Sequence, residues 1–339
     1  MFLWVELCIM LIIILISAQL FSNALEYFGE KIGMSNGVIG SIFAAVSTAL
    51  PETSVPLLAI FAGTPNKMIN EEISVGAILG APLMLSTLST FIMAASVIKK
   101  RGIFGKISPE KTGLIRDLNF FLFAFFIAAL AMFVPLHPIY FRVGISILLI
   151  ITYFTYIYFT FKASNKLVEN GHGVNPTEPL FFSKLFYSKK VYEPNVVIIA
   201  TQLLIGLILL LFGAKGFIDA TLDVSHALGI SALLLSLLVI PFATELPEKV
   251  NSILWVRKNQ DTLGFGNITG AMVFQGTLLP ALGILLTPWQ PSKIVLTGVF
   301  ITFIAAAWIR LNISTKGISV WALLINGIFY LIYLRLVLG

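Results

Sequence analysis

Apolar runs of at least 17 residues recur along the chain, at roughly 2–22, 36–62, 72–97, 118–136, 138–161, 195–217, 227–254, 264–288, 292–311 and 317–337. A helix of about 20 such residues crosses the hydrocarbon core of a bilayer while satisfying its own backbone hydrogen bonds. The expected fold is an all-α integral membrane protein of about ten transmembrane helices, the fourth and fifth turning on Pro135 and Pro138. Composition agrees. Only 11% of residues are charged and the mean hydropathy is +0.96, against about 25% charged in soluble domains. The single cysteine, Cys8, excludes an internal disulfide and a cysteine-based zinc cluster. The first run has no basic segment ahead of it, so it is expected to remain as a span rather than leave as a signal peptide.

Lysine and arginine set the orientation, because basic loops stay on the cytoplasmic side. The connections after runs one, three, five, seven and nine hold Lys31; Lys99, Lys100, Arg101, Lys106, Lys111 and Arg116; the five lysines from Lys162 to Lys190; Lys249, Arg257 and Lys258; and Arg310 and Lys316. The opposite side shows Lys67, Lys215, Lys293 and Arg335. Both termini are therefore expected outside the cell membrane and residues 162–194, the longest polar stretch, in the cytoplasm. The net charge of +6 follows from this arrangement and gives no reason to invoke nucleic acid as a partner. The polar stretch reads as a linker between halves 1–161 and 195–339. With five spans in each, the second half must insert upside down relative to the first, which is the inverted-repeat plan of secondary transporters.

Residue-level repeats support that plan. Thr48-Ala49-Leu50-Pro51-Glu52 returns as Thr244-Glu245-Leu246-Pro247-Glu248, and Ile32-Gly33-Met34-Ser35 returns at the same offset as Leu228-Gly229-Ile230-Ser231. Gly76-Ala77-Ile78-Leu79-Gly80-Ala81 corresponds to Gly266-Asn267-Ile268-Thr269-Gly270-Ala271. The paired glycines would let spans three and eight approach closely.

The first pair carries chemistry. Proline lacks an N–H and clashes with the carbonyl four residues back, so Pro51 and Pro247 free carbonyls near Thr48 and Thr244. Such carbonyls are tolerated at membrane depth only where protein, water or a cation satisfies them. Thr48 and Glu52, like Thr244 and Glu248, are four apart and share a helix face. Two carboxylates with hydroxyl and carbonyl oxygens form a site suited to a hard cation such as Ca²⁺. Ionisable residues in spans mark function by default.

At these residues the chain resembles the calcium/cation antiporter superfamily, which includes the sodium/calcium exchangers. Its members carry inverted repeats with a Gly-Thr-Ser-Leu-Pro-Glu-like core followed by a Gly-Ser-Asn-type helix. The resemblance covers both repeats, the ten-span layout and the central loop. It implies alternating access, with Glu52 and Glu248 as central ligands for Ca²⁺ and its counter-ion, Na⁺ or H⁺, and with oxygens from Thr48 and Thr244. No cofactor is implied.

The chain also departs from the pattern. Ala49 and Glu245 stand at the core serine positions, and Ala81-Pro82 and Ala271-Met272 replace Ser-Asn. Leu85 and Gln275 stand where exchangers place an Asn or Asp ligand. Glu245 is an added carboxylate, three residues from Glu248. Two readings stay open for it: crowding that leaves one carboxyl of the two protonated, favouring H⁺ as counter-ion or a transported cation other than Ca²⁺, or exposure to a polar loop or water. Gln202 in span six is expected to bond between helices. Asp219, Asp223 and His226 are expected in a solvated loop before span seven, Glu6 near the outer surface, and His137 and His172 in loops. The chain has no H-E-x-x-H and no G-x-S-x-G, so an intramembrane enzyme is not indicated. A channel or a non-transporting family member is the competing class.

Overall fold

The structure, a computed structural model, describes residues 2–31, 44–168, 180–182 and 195–338. Helix α1 spans Phe2–Lys31, α2 Ala44–Ala62 and α3 Lys67–Met84, continued by a π-helical turn at Leu85–Ser89 and by α4, Thr90–Ala95. A short α5 (Ile98–Arg101) and strand β1 (Lys106–Ile107) lead to α6 (Lys111–Leu130) and α7 (Tyr140–Val168). The second half holds α8 (Val196–Leu228), α9 (Ala232–Thr244), α10 (Leu246–Arg257), α11 (Asp261–Leu286) and α12 (Lys293–Leu311), then strand β2 (Ile318–Ser319) and α13 (Val320–Leu338).

Among the described residues, eight helices are long and apolar enough to cross a membrane. The shorter apolar segments Glu52–Ala62 of α2 and Ala232–Phe242 of α9 lie where the second and seventh of the expected spans fall. Helix α2 runs on through Pro51 and Pro56. In the second repeat the corresponding span divides at Glu245. The equivalent block at residues 32–35 lies outside the described residues.

Helix ends follow capping chemistry rather than the limits of apolar runs. Asn66 Oδ1 accepts from the amides of Met68 and Ile69, so α3 starts at Lys67, ahead of the expected residue 72. Glu110 caps α6 through the amides of Thr112 and Gly113. Partial burial pushes its carboxyl up, but those two amides, the Thr112 hydroxyl and the Arg116 charge together hold it below the usual carboxylate range. Helix α8 has 33 residues, about 50 Å at 1.5 Å per residue, well beyond the roughly 30 Å core. Asp219, Asp223 and His226 therefore sit on its last turns and not in a loop, which corrects the sequence expectation. Gly229, at φ +66°, closes that helix in the left-handed conformation open to glycine. Ser231 Oγ then accepts from the Leu234 amide and starts α9.

Two compact units divide the chain, residues 1–65 with 161–229 and residues 66–160 with 230–339. In the first unit, α1 and α8 run antiparallel in close contact. A Cβ on Gly206 would come 2.9 Å from the Phe21 amide nitrogen, and one on Gly216 would come 2.5 Å from Met10 Sδ. Gln202 bonds between these helices, as expected, giving its Nε2 to the Leu20 carbonyl at 2.9 Å and to Asn23 Oδ1 at 3.0 Å. Its Oε1 accepts the Phe182 amide, and Asn23 Oδ1 the Phe181 amide, so the linker is pinned to the pair at these two residues.

In the second unit, α3 and α9 run parallel. The Gly76 and Gly80 pair faces α9 and not span eight, a correction to the expected partner. A Cβ on Gly76 would lie 2.0 Å from Ser236 Oγ, and one on Gly80 would lie 2.2 Å from the Leu237 carbonyl. Gly266 has no atom within 4 Å of its would-be Cβ. Strands β1 and β2 pair antiparallel, Lys106 opposite Ser319. Arg101 forks onto Asp261 with two bonds of 2.7 Å and also reaches the carbonyls of Lys106 and Val256. The connections after spans three, seven and nine therefore meet on one face. At the other end, Trp289 Nε1 donates to the Ala128 carbonyl, and Arg142 donates to the carbonyls of Thr287 and Pro288.

Candidate cation site

Two prolines shape the seventh span. Pro241, inside α9, has no N–H for the Leu237 carbonyl, and Gly80 presses against that same carbonyl. Pro247 sits in the first turn of α10, where a missing N–H costs little. Between them Glu245 leaves helical geometry at φ −91°, ψ 6°.

Glu245 has no exposed surface. Its Oε1 accepts from Gln275 Nε2 of α11 at 3.1 Å. Its Oε2 lies 3.5 Å from Lys249 Nζ. The ammonium also donates to the Pro241 carbonyl at 3.1 Å and lies 5.3 Å from the centre of the Phe242 ring. Both side chains of the ion pair are buried, 4% and 0% exposed. Thr244 is buried beside them and donates its hydroxyl to the Ile240 carbonyl at 3.0 Å, leaving the oxygen's lone pairs available.

The structure thus brings Glu245 and Gln275 into contact, with Thr244 adjacent in the chain. Glu52 is buried in α2, 5% exposed, in the first unit. The side chains of Thr48 and Glu248 lie outside the described residues. Exposure to a loop or water does not describe Glu245, which has no exposed surface and has Lys249 beside it; the crowding reading turns on Glu248, whose side chain lies outside the described residues. Lys249 is buried in α10 and does not lie in the cytoplasmic loop expected for it. Its signal was its spacing, since Glu at i and Lys at i+4 meet on a helix face.

Further buried polar groups escaped the sequence reading. Asp117 of α6 accepts from Thr269 Oγ1 at 2.7 Å, with Arg116 at 3.5 Å. Around the π-turn, Ser86 Oγ donates to the Pro82 carbonyl at 2.7 Å, and Asn326 of α13 gives its amide to the Ser86 carbonyl and to Thr90 Oγ1. Leu85, at the exchangers' ligand position, is wholly buried among apolar side chains. Among the described residues, no three His, Cys, Asp or Glu side chains cluster closely enough to hold a metal ion by themselves. Carbonyl, hydroxyl and amide oxygens would have to complete any cation site here.

The model of the sodium/calcium exchanger protein family matches residues 2–162 and 198–339. The chain belongs to that family. An uncharacterized membrane protein of Methanocaldococcus jannaschii is 25% identical over 267 residues, 78% of this chain and 75% of the relative. Among solved structures, the H⁺/Ca²⁺ exchanger CAX superposes with a TM-score of 0.71 at 16% identity, over 99% of this chain and 82% of that one. The sodium-calcium exchanger NCX_Mj superposes with a TM-score of 0.57 at 22% identity, over 98% of each chain. At these identities the likeness is one of fold: membrane exchangers built as inverted helical repeats.

Proposed function

We propose that this chain is a secondary active cation antiporter that moves Ca²⁺ against a Na⁺ or H⁺ gradient by alternating access. The observation that carries the reading is Glu52, a carboxylate buried in an apolar membrane helix directly after a proline. Its sequence repeats in the inverted half at Glu248. Burying a carboxylate at membrane depth is costly, and such residues mark ion pathways. Family membership supports the same conclusion.

In this reading the repeats are residues 1–161 and 195–339, joined by the cytoplasmic linker 162–194, with both termini outside the plasma membrane. Glu52 and Glu248 bind the cation, and Thr48 and Thr244 add oxygens. Carbonyls released by Pro51 and Pro247 complete the shell, as hard cations take six to eight oxygens. Glu245 and Gln275 border the site from the second repeat. The ions are cargo, and no resident cofactor or enzymatic step enters the cycle.

The test is uptake of labelled Ca²⁺ into proteoliposomes by the parent, Glu52→Gln and Glu248→Gln. Each amide keeps the shape and removes the charge, so each variant should lose uptake by about 100-fold or more, in line with several kcal/mol per lost charged ligand. If both variants transport like the parent, the ligand assignment is wrong.

A further inference from the structure

The ammonium of Lys249 sits between two oxygens and a ring face. It has a carboxylate oxygen of Glu245 at 3.5 Å, the carbonyl of Pro241 at 3.1 Å and the face of Phe242 at 5.3 Å. Gln275, from another helix, fixes the second carboxylate oxygen at 3.1 Å and so aims the first. The pair spans the break between α9 and α10, beside the duplicated Leu-Pro-Glu motif. We propose that Lys249 is a resident cation: its ammonium fills a monovalent-cation position of the second repeat, so that no alkali ion binds there.

The physical argument concerns charge and tethering. A buried carboxylate at membrane depth requires a counter-charge. That charge can be a dissolved ion, taken up and released in each cycle, or a side chain that never leaves. Lys249 lies four residues from Glu245, one helical turn away, so its ammonium is always at hand and no ion has to be recruited from solution. Its charge cancels that of Glu245, and the neighbouring site keeps only its remaining carboxylates for exchange. This last consequence rests on the antiporter reading. The occupancy of the position does not.

Two measurements on purified full-length protein test the occupancy without transport. The first compares melting of the parent, Lys249→Met and the double variant Glu245→Gln/Lys249→Met in NaCl, LiCl and choline chloride at equal ionic strength. Lys249→Met leaves an open carboxylate, and Na⁺ or Li⁺ should raise its melting temperature by about 5 °C more than it raises that of the parent. The double variant should lose that increment. A folded Lys249→Met with no added response to Na⁺ or Li⁺ would overturn the proposal. So would a single variant that fails to fold in every salt while the double variant folds.

The second measurement uses the parent alone. Exposure to an amine-acylating reagent, followed by mass spectrometry, should leave Lys249 unmodified in choline, NaCl and CaCl₂. Modification that begins when Na⁺ or Ca²⁺ is added would mean that the ammonium yields its place, and the proposal fails. If the parent exchanges no Ca²⁺ while Lys249→Met gains its response to Na⁺, the antiporter reading falls and the resident cation stands.

Discussion

Glu245 is buried against the Lys249 ammonium and the Gln275 amide. The sequence exposed the two carboxylates of the Thr-to-Glu motif at once, because an acid beside a proline within an apolar run stands out. It did not expose the counter-charge of Glu245, which is Lys249. Lys249 shares a basic segment with Arg257 and Lys258, and composition alone placed all three at the membrane edge. What separates them is burial, which depends on where α10 packs. Gln275 was found through resemblance and not through chemistry, and its bond to Glu245 gives the position a physical meaning. A hydrogen bond to a charged group contributes about 1.5–3 kcal/mol. Gln275→Leu should therefore lower the melting temperature in detergent by several degrees while keeping the helical circular dichroism. An unchanged melt would mean that Lys249 alone holds the carboxylate.

Helices were legible as apolar runs, whereas their ends and partners were not. Asn66, Glu110, Asn195 and Ser292 set helix starts through side-chain bonds to backbone amides, and such residues look like ordinary loop polar groups until the helix forms. The repeated Gly-x-Ser block became intelligible in the same way. At Gly229 and Ser231 it stops one helix and starts the next. Close approaches were half legible. Both glycine pairs have the spacing for helix contact, but spacing names no partner: Gly76 and Gly80 press on α9, whereas Gly266 meets open space and Gly270 only the Tyr156 hydroxyl at 3.7 Å. This difference gives a paired prediction. Gly80→Ala places a Cβ 2.2 Å from the Leu237 carbonyl, and overpacking of this kind costs about 1–3 kcal/mol. Gly266→Ala meets open space, and alanine suits a helix better than glycine by about 1 kcal/mol. Thermal melts should show Gly80→Ala clearly destabilised and Gly266→Ala unchanged or slightly raised. Equal losses would mean that the α3–α9 contact is looser than described.

At the scale of the whole molecule, the ten-span count was readable because bilayer thickness fixes helix length. The alternation of loops was readable because lysine and arginine mark one side. The β1–β2 pairing and the Arg101–Asp261 fork agree with that alternation by joining the connections after spans three, seven and nine. The compact units were not readable. They unite spans far apart in sequence, α1 with α8 and α3 with α9, through contacts that no local pattern encodes. Cation exchange is a property of this whole arrangement, and it is best measured on the unmodified chain. Proteoliposomes containing the parent and loaded with Na⁺, with H⁺ or with neither should take up labelled Ca²⁺ only when one counter-ion gradient is present, and dissipating that gradient should stop uptake. Uptake that proceeds equally with no counter-gradient, or none under either gradient, would contradict antiport.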